Sequence, residues 1–271
     1  MMPSRVWAPF SRVAERVGES TVRGIEEFGF AASILGESLY WLVLGRRRAQ
    51  PVRLAPIAEQ AMEIGIHALP IVSVLSAAIG AMLAIQGIHT LKTFGAESQV
   101  VLGVAIGVTR EFGPMITGIL VAGRSGSALA ARIGTMKTNE ELDALAVMGI
   151  EPVRFLAVPA LVAMLVMLPA LTVWADVMAI LGSGLYVSAE LGMSLGSYVT
   201  QTLDSLRVDD VLHGLTKSFL FAVLVTLVGV INGASVQGGA EGVGRATTRS
   251  VVHAIAAIVI SDMVVAFFLT H

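Results

Sequence analysis

Five stretches of this chain are long and apolar enough to cross a membrane, and this limits the possible folds more than any other feature. A transmembrane helix needs roughly 20 mostly apolar residues. The stretches that meet this requirement are 64–86, 99–123, 155–182, 218–237 and 251–269. With 55% hydrophobic and 14% charged residues, the composition excludes a soluble globular protein. We therefore predict an all-α polytopic membrane protein with five transmembrane helices.

Basic residues between these stretches predict which ends of the helices face the cytoplasm, because cytoplasmic links are enriched in Lys and Arg. Three links carry most of the positive charge, the first with Arg46, Arg47, Arg48 and Arg53, the second with Arg124, Arg132, Lys137 and Arg154, and the last with Arg245 and Arg249. The rule assigns all three links to the cytoplasm. We therefore predict a cytoplasmic N-terminus and a C-terminus on the opposite side.

The first 45 residues form a separate N-terminal unit in our interpretation, ahead of a transmembrane domain over 46–271. Arg12, Arg16 and Arg23 share one helical face, which favours an amphipathic helix in the cytoplasmic membrane interface. A solvated tether is the alternative. Residues 30–45 are apolar but short and contain Glu37, so we predict a half-inserted helix. If they form a sixth span instead, the N-terminus lies outside.

Small residues recur along the second apolar stretch. Gly103 and Gly107 make a GxxxG pattern, and Gly118, Ala122 and Gly126 repeat the four-residue spacing. Such spacing lets helix backbones approach closely in a membrane. It predicts tight packing, either within the chain or between two copies of it.

Two charged residues, Arg110 and Glu111, lie near the middle of the same stretch. Charges at this depth cost about 2.5 to 3.5 kcal/mol each on insertion scales, so they usually face a cavity or a partner. Two interpretations stay open, a polar patch in a substrate cavity and a structural ion pair with another helix. Gly113 and Pro114 follow directly and are expected to kink the helix.

A polar run from Arg124 to Pro152 separates the second and third stretches. It places Glu140, Glu141 and Asp143 ahead of an apolar series and closes with Gly149. The pattern predicts a short amphipathic helix with acidic residues in its first turn. Its exposed position makes it the part of the chain that we expect to contact another protein.

Three separated blocks resemble the MlaE/YrbE family of ABC transporter permeases. They are 110–136, 140–152 and 244–253, in the family's order. The resemblance implies a homodimeric permease of the inner membrane, with an N-terminal interfacial or elbow helix and five spans. It also implies two protein partners, a cytoplasmic ATPase and a periplasmic MCE-domain lipid-binding protein, and the transport of phospholipid or a related lipid between inner and outer membranes. The C-terminus would then be periplasmic.

The same resemblance makes the polar run a coupling helix at about 135–148, which docks on the ATPase. The residues that it assigns to this contact are Thr135, Met136, Glu140, Glu141, Leu142, Asp143, Leu145 and Met148. The chain has no GxxxxGK[ST] phosphate loop, so we expect ATP to be used by the partner subunit and no cofactor to be bound here. The substrate cavity that the resemblance implies is lined by Leu83, Phe94, Arg110 and Glu111.

Alternatives from other classes rest on shorter signals. Gly123-Arg-Ser-Gly126 spells the GxSG of an intramembrane serine protease, with Ser125 as nucleophile and His253 as base. A membrane scaffold without transport is the third possibility. The permease interpretation predicts no catalytic residue, no metal site and no nucleic-acid partner, and the absence of cysteine excludes disulfides and thiolate metal ligands.

Overall fold

The protein is a bundle of α-helices. The computed structural model describes residues 8–45 and 53–270, and within them the side chains from residue 22 onward except those of 23, 27, 28, 269 and 270. The α-helices of this part are α1 (Ala8–Leu44), α2 (Leu54–Ile64), α3 (Leu69–Lys92), α4 (Val100–Gly107), α5 (Gly113–Val121), α6 (Ser127–Thr138), α7 (Glu141–Val147), α8 (Val158–Leu191), α9 (Leu195–Ser205), α10 (Val208–Ala234) and α11 (Gly239–Thr270).

Five helical segments among the described residues are long and apolar enough to span a membrane, which confirms the predicted fold class. They are Leu54–Lys92, Glu97–Thr138, Val153–Leu191, Val208–Ala234 and Gly239–Phe268. Most run beyond the apolar stretches, because helices continue into polar residues outside the hydrocarbon layer. The fourth begins at Val208 rather than at 218, since Arg207 and Asp210 form a capping box there.

Three spans contain local departures from α-helical geometry, and the third of them begins with a π-helical turn at Val153–Ala157. In the first, a short 3₁₀ turn joins α2 to α3, and Pro70 occupies the first turn of α3, where its missing N–H is not needed. In the second, π-helical turns at Val108–Phe112 and Ala122–Gly126 flank α5. The first of these turns contains Arg110 and Glu111 and ends directly before Gly113.

Helix α8 occupies the centre of the bundle and packs most extensively against α3. Their crossing depends on two glycines. A Cβ on Gly80 would lie 1.9 Å from the carbonyl oxygen of Ala179, and one on Gly182 would lie 2.1 Å from that of Ala77. Each helix therefore presents a glycine to the other's backbone, which explains why small residues are required at both positions.

Helix α1 is continuous, whereas the sequence predicts two N-terminal helices. The one proline of residues 8–44, Pro9, lies in the first turn of the helix, and Gly24 and Gly29 are tolerated within it. The far half of α1 packs on the bundle through Ile34, which is buried in a cluster with Leu156 and Ala157. The side chains of Arg12, Arg16 and Arg23 and residues 46–52 lie outside the described part, so the basic stripe and the basic link at 46–48 stay predictions.

Candidate functional site

An apolar groove of about 350 Å³ lies between α3 and α4. Its walls are formed by Leu83, Gln86, Gly87, Thr90, Leu91, Val100, Gly103, Val104, Gly107 and Phe112. A Cβ on Gly103 or Gly107 would meet nothing within 4 Å among the described residues, so these glycines open the groove and do not pack against a helix of this chain. Of the predicted cavity residues, Leu83 lines this groove.

The other small residues of the second span do pack within the chain. A Cβ on Gly118 would lie 3.0 Å from a ring carbon of Phe221, and one on Gly126 would lie 2.8 Å from a methyl group of Val225. The four-residue spacing therefore has two uses. Its far half packs against α10, and its first half faces open space.

Phe94 lies in the turn after α3, is 79% exposed and does not line the groove. It is an apolar side chain at the end of the bundle where α3 and α4 are joined. Its predicted contact with substrate stays a prediction.

Arg110 pairs with Asp210 on α10. The Nε atom of Arg110 donates to Oδ1 of Asp210 at 2.5 Å, while Oδ2 of Asp210 accepts from the backbone N–H of Arg207 at 2.8 Å. Asp210 is buried, and Arg110 is about a third exposed. This pair fixes the start of α10 to the middle of the second span.

Glu111 belongs to a second ionic cluster that joins three spans. Lys217 of α10 is 1% exposed and donates to Glu111, and its Nζ atom also lies 2.9 Å from Oδ1 of Asp262 on α11. The Glu111 side chain remains 42% exposed, and its neighbour Phe112 lines the apolar groove. Both charged residues thus have the geometry of structural ion pairs, and Glu111 also lies beside the groove.

Sequence reasoning missed Asp210 and Lys217 as the partners. Asp210 lies in the polar link before the predicted fourth stretch, and Lys217 lies one residue before that stretch begins. A search for opposite charges in neighbouring apolar spans would have found both, because intramembrane charges usually pair.

Asp176 is a further buried carboxyl group in the centre of the bundle. Its Oδ1 atom has no hydrogen-bond partner among the described residues. A Cβ on Gly113 would lie 1.8 Å from that atom, so only glycine allows the second span to approach Asp176 here.

The predicted coupling segment is two helices and not one. Thr135 and Met136 belong to the last turn of α6, which ends at Thr138, and α7 begins at Glu141. Glu140 caps α7 with a left-handed backbone conformation, φ 60°. Helix α6 extends this far because Gly134 packs closely against Val236. The prediction of a single helix over 135–148 is therefore wrong.

The faces of α7 differ from the predicted arrangement. Leu145 is buried against the chain itself, and Leu142 packs on the cluster around Ile133. Val147 and Met148 are instead 89% and 64% exposed. The outer surface of this segment thus combines these two apolar side chains with the exposed acidic residues Glu140, Glu141 and Asp143.

Ser125 and His253 line different cavities. Ser125 lies in one of about 130 Å³ with Gln60 and Arg132, and His253 lies in one of about 280 Å³ with Arg249. Among the described residues no hydrogen bond joins the serine to a histidine. A serine nucleophile needs its base within hydrogen-bond reach, so the geometry does not support the protease alternative.

The fold and these features define a multi-pass helical membrane protein with an apolar groove, intramembrane ion pairs and a protruding polar helix. The profile of the family described as Permease MlaE matches residues 57–268. A probable ABC transporter permease protein of Rickettsia typhi is 32% identical over 253 residues, which cover 93% of this chain and 96% of the relative.

A second relative carries a more specific name. The intermembrane phospholipid transport system permease protein MlaE of Haemophilus influenzae is 36% identical over 199 residues, which cover 73% of this chain and 76% of the relative. The chain belongs to the MlaE permease family, as the resemblance predicts.

Proposed function

We propose that this chain is the membrane-spanning permease subunit of an ABC transporter that moves phospholipid or a related lipid between the inner and outer membranes. The family assignment and the name of the Haemophilus influenzae relative support this proposal. The observation that carries it is the outer surface of α7, where exposed Val147 and Met148 adjoin three exposed acidic residues. Exposed apolar side chains rimmed by charge are typical of a protein–protein interface.

The partner at this surface is the ATPase subunit. Because the sequence has no phosphate loop, ATP is bound and hydrolysed by that subunit and not by this chain. Val147 and Met148 enter an apolar recess of the ATPase, and Glu140, Glu141 and Asp143 contact its polar rim. Leu142 and Leu145 hold α7 on the bundle, so that a movement of the ATPase reaches the second and third spans together.

The α3–α4 groove accepts acyl chains of the lipid. Its apolar walls suit hydrocarbon, and Gly103 and Gly107 keep it open. A second copy of the chain faces this side and completes the cavity, in line with the homodimer that the resemblance implies. Glu111, beside the groove and partly exposed, lies near the lipid headgroup.

The positive-inside rule supplies the orientation. The α7 end of the bundle carries Arg132, Lys137 and Arg154, so it faces the cytoplasm and the ATPase. The N-terminus is then cytoplasmic, the C-terminus is periplasmic, and the opposite end of the bundle faces the MCE-domain protein that delivers or receives lipid.

Substitution of Val147 tests the proposal. The tagged chain is purified from membranes of its native host. The amount of ATPase subunit that co-purifies with it and the rate of ATP hydrolysis by that subunit are then measured. We expect Val147→Asp to reduce ATPase recovery at least about tenfold, because it replaces an apolar contact at the centre of the interface with a fourth carboxylate. Val208→Asp is the control, since Val208 is 76% exposed at the opposite end of the bundle.

Unchanged recovery and hydrolysis with Val147→Asp would refute docking at α7. That result is also what a scaffold without transport predicts. Leu145→Asp is not a useful test, because Leu145 is buried within this chain and its loss would disturb α7 itself.

A further inference from the structure

A polar cavity of about 280 Å³ lies between the end of α10 and the first half of α11. It is lined by Asn232, Ser235, Gln237, Arg249 and His253, with Ile231 and Val228 at its deeper end. None of these residues has a part in the proposed transport function. Within the part of the chain that the structure describes, no acidic side chain lines this cavity.

Arg249 is held in the cavity but is not neutralised there. Its Nε atom donates to Oδ1 of Asn232 at 2.8 Å, and Asn232 is itself fixed through a hydrogen bond from Nδ2 to the carbonyl oxygen of Val228 at 2.8 Å. The terminal Nη atoms of Arg249 have no protein partner among the described residues, and no carboxylate pairs with it there. A guanidinium with free Nη donors matches the geometry of a phosphate.

The depth of the cavity can be read from the helices. Asn232 lies two residues before the end of α10 at Ala234, so Arg249 is at the level where α10 leaves the membrane. Lys137, in the last turn of α6, donates to the carbonyl oxygen of Ala234, which places the cavity at the same end of the bundle as α7. Helix α11 has 32 residues and measures about 48 Å, against about 30 Å of hydrocarbon, so its first turns lie outside the apolar layer.

The surrounding surface points to lipid as the ligand. Only 11% of the apolar window of α11 is buried within the chain, the smallest share of the five spans. Val252, next to His253, is 60% exposed. A lipid can therefore lie along α11 with its acyl chains on this apolar face and its phosphate in the cavity.

We propose that this cavity is a binding site for the phosphate of a phospholipid in the leaflet at the α7 end. Arg249 donates through its Nη atoms to the phosphate, and Ser235, Gln237 and His253 provide further polar contacts. The site is separate from the α3–α4 groove. It does not depend on the proposed transport function, because it follows from the cavity, the position of Arg249 and the exposed apolar face of α11 alone.

Native mass spectrometry of the delipidated full chain tests this site. Phosphatidylglycerol is titrated, with diacylglycerol of the same acyl chains as the lipid that lacks a phosphate. We expect wild type to bind one more phosphatidylglycerol per chain than Arg249→Gln, with about tenfold weaker binding at this site in the variant, and no difference for diacylglycerol. Arg245→Gln is the matched control, since Arg245 is on the same helix but exposed and paired with Glu241.

A second variant keeps the charge of Arg249 and reduces the volume of the cavity. Ser235 is exposed and lines the cavity, so Ser235→Phe occupies space in it while Arg249 keeps its charge, and the variant should lose the same lipid. Equal phosphatidylglycerol binding by wild type, Arg249→Gln and Ser235→Phe would overturn the proposal.

Competition with inorganic phosphate shows whether the cavity binds the phosphate of a phospholipid or a free phosphate ion. We expect millimolar phosphate not to displace phosphatidylglycerol, because the acyl chains on α11 add to the binding of the headgroup. Displacement at those concentrations would show a free-anion site and contradict the lipid assignment. A change of oligomeric mass in Ser235→Phe with unchanged lipid binding would also contradict it, by placing the cavity between copies of the chain.

Discussion

Lys217 is buried between two carboxylates that belong to different spans, Glu111 and Asp262. Removing a buried ion and leaving its partners in place usually costs about 3–5 kcal/mol, because an uncompensated charge stays behind. Glu111 is the exposed member of the cluster, so its loss leaves Lys217 paired with Asp262. The three residues therefore contribute differently to the free energy of unfolding.

We predict that Lys217→Met lowers the free energy of unfolding by about 3 kcal/mol or more, while Glu111→Ala leaves the protein folded. Thermal unfolding of the detergent-purified chain measures both. The double variant Lys217→Met with Glu111→Gln should recover part of the loss, since one of the two unpaired carboxylates is gone. If Glu111→Ala prevents folding, the cluster depends on Glu111 more than its exposure indicates.

Glu37, on α1, makes the stability of the folded protein depend on pH. Burial raises the pKa of Glu37, a hydrogen bond from Trp41 opposes this, and the Glu151 carboxylate raises the pKa further. A carboxyl whose folded-state pKa is raised holds its proton to higher pH than in the unfolded chain. Its contribution to stability is therefore greatest below its ordinary pKa and declines as the pH rises from about 4.5 through the raised value.

Glu37→Gln should accordingly raise the unfolding temperature at pH 7 and leave it nearly unchanged near pH 4, where Glu37 is protonated in both states. Unfolding scans at the two pH values measure the difference. Glu26→Gln, on the same helix but exposed, is the control. A larger gain at pH 4 than at pH 7 would contradict the assignment.

At the scale of helices, the α3–α8 crossing depends on two reciprocal glycines. We predict that Gly182→Ala destabilises the protein by about 1–3 kcal/mol or more, because its Cβ would lie 2.1 Å from a backbone oxygen that cannot move independently. Gly103→Ala, whose Cβ meets nothing within 4 Å, should be close to neutral. Unfolding of both variants in the same detergent compares them, and equal stability would show that the helices can separate without cost.

The sequence predicts that spans exist and how many there are, but it predicts the ends of the helices less accurately. Hydropathy marks where hydrocarbon begins, so it finds the five spans but not the polar turns by which α10 and α11 extend beyond it. The α7 segment shows the same limit. Its acidic first turn was predicted from Glu141 and Asp143, but the boundary at Asn139 and Glu140 depends on how α6 packs against the turn after α10, which no local pattern encodes.

Site residues were harder to predict for the same reason. The resemblance assigns Leu145 to the ATPase contact, and only the tertiary structure shows that Leu145 is buried within the chain while Val147 is exposed. Arg110 and Glu111 could be recognised as unusual from their position in an apolar stretch. Their partners on α10 are more than 95 residues away in sequence and required the fold.

For the whole molecule, the proposed function requires the α3–α4 groove to remain open so that lipid can enter it. We predict that Gly107→Leu reduces the lipid retained by the purified protein several-fold, because the added side chain occupies part of the 350 Å³ groove. Lipid mass spectrometry after mild detergent extraction measures the retained amount. Gly123→Leu is the control, since Gly123 belongs to the same span, is exposed and does not line the groove.

The proposed function requires this chain to move phospholipid with energy from ATP that another subunit hydrolyses. The most direct measurement is the transfer of fluorescent phospholipid between proteoliposomes that contain the assembled complex and acceptor vesicles that carry the MCE-domain protein. We predict lipid transfer that requires ATP and that both variants lose. Gly107→Leu should lose transfer but retain ATP hydrolysis by the complex. Val147→Asp should lose transfer because ATP hydrolysis is no longer coupled to this chain. Transfer that proceeds equally without ATP, or that both variants support at the wild-type rate, would contradict this account.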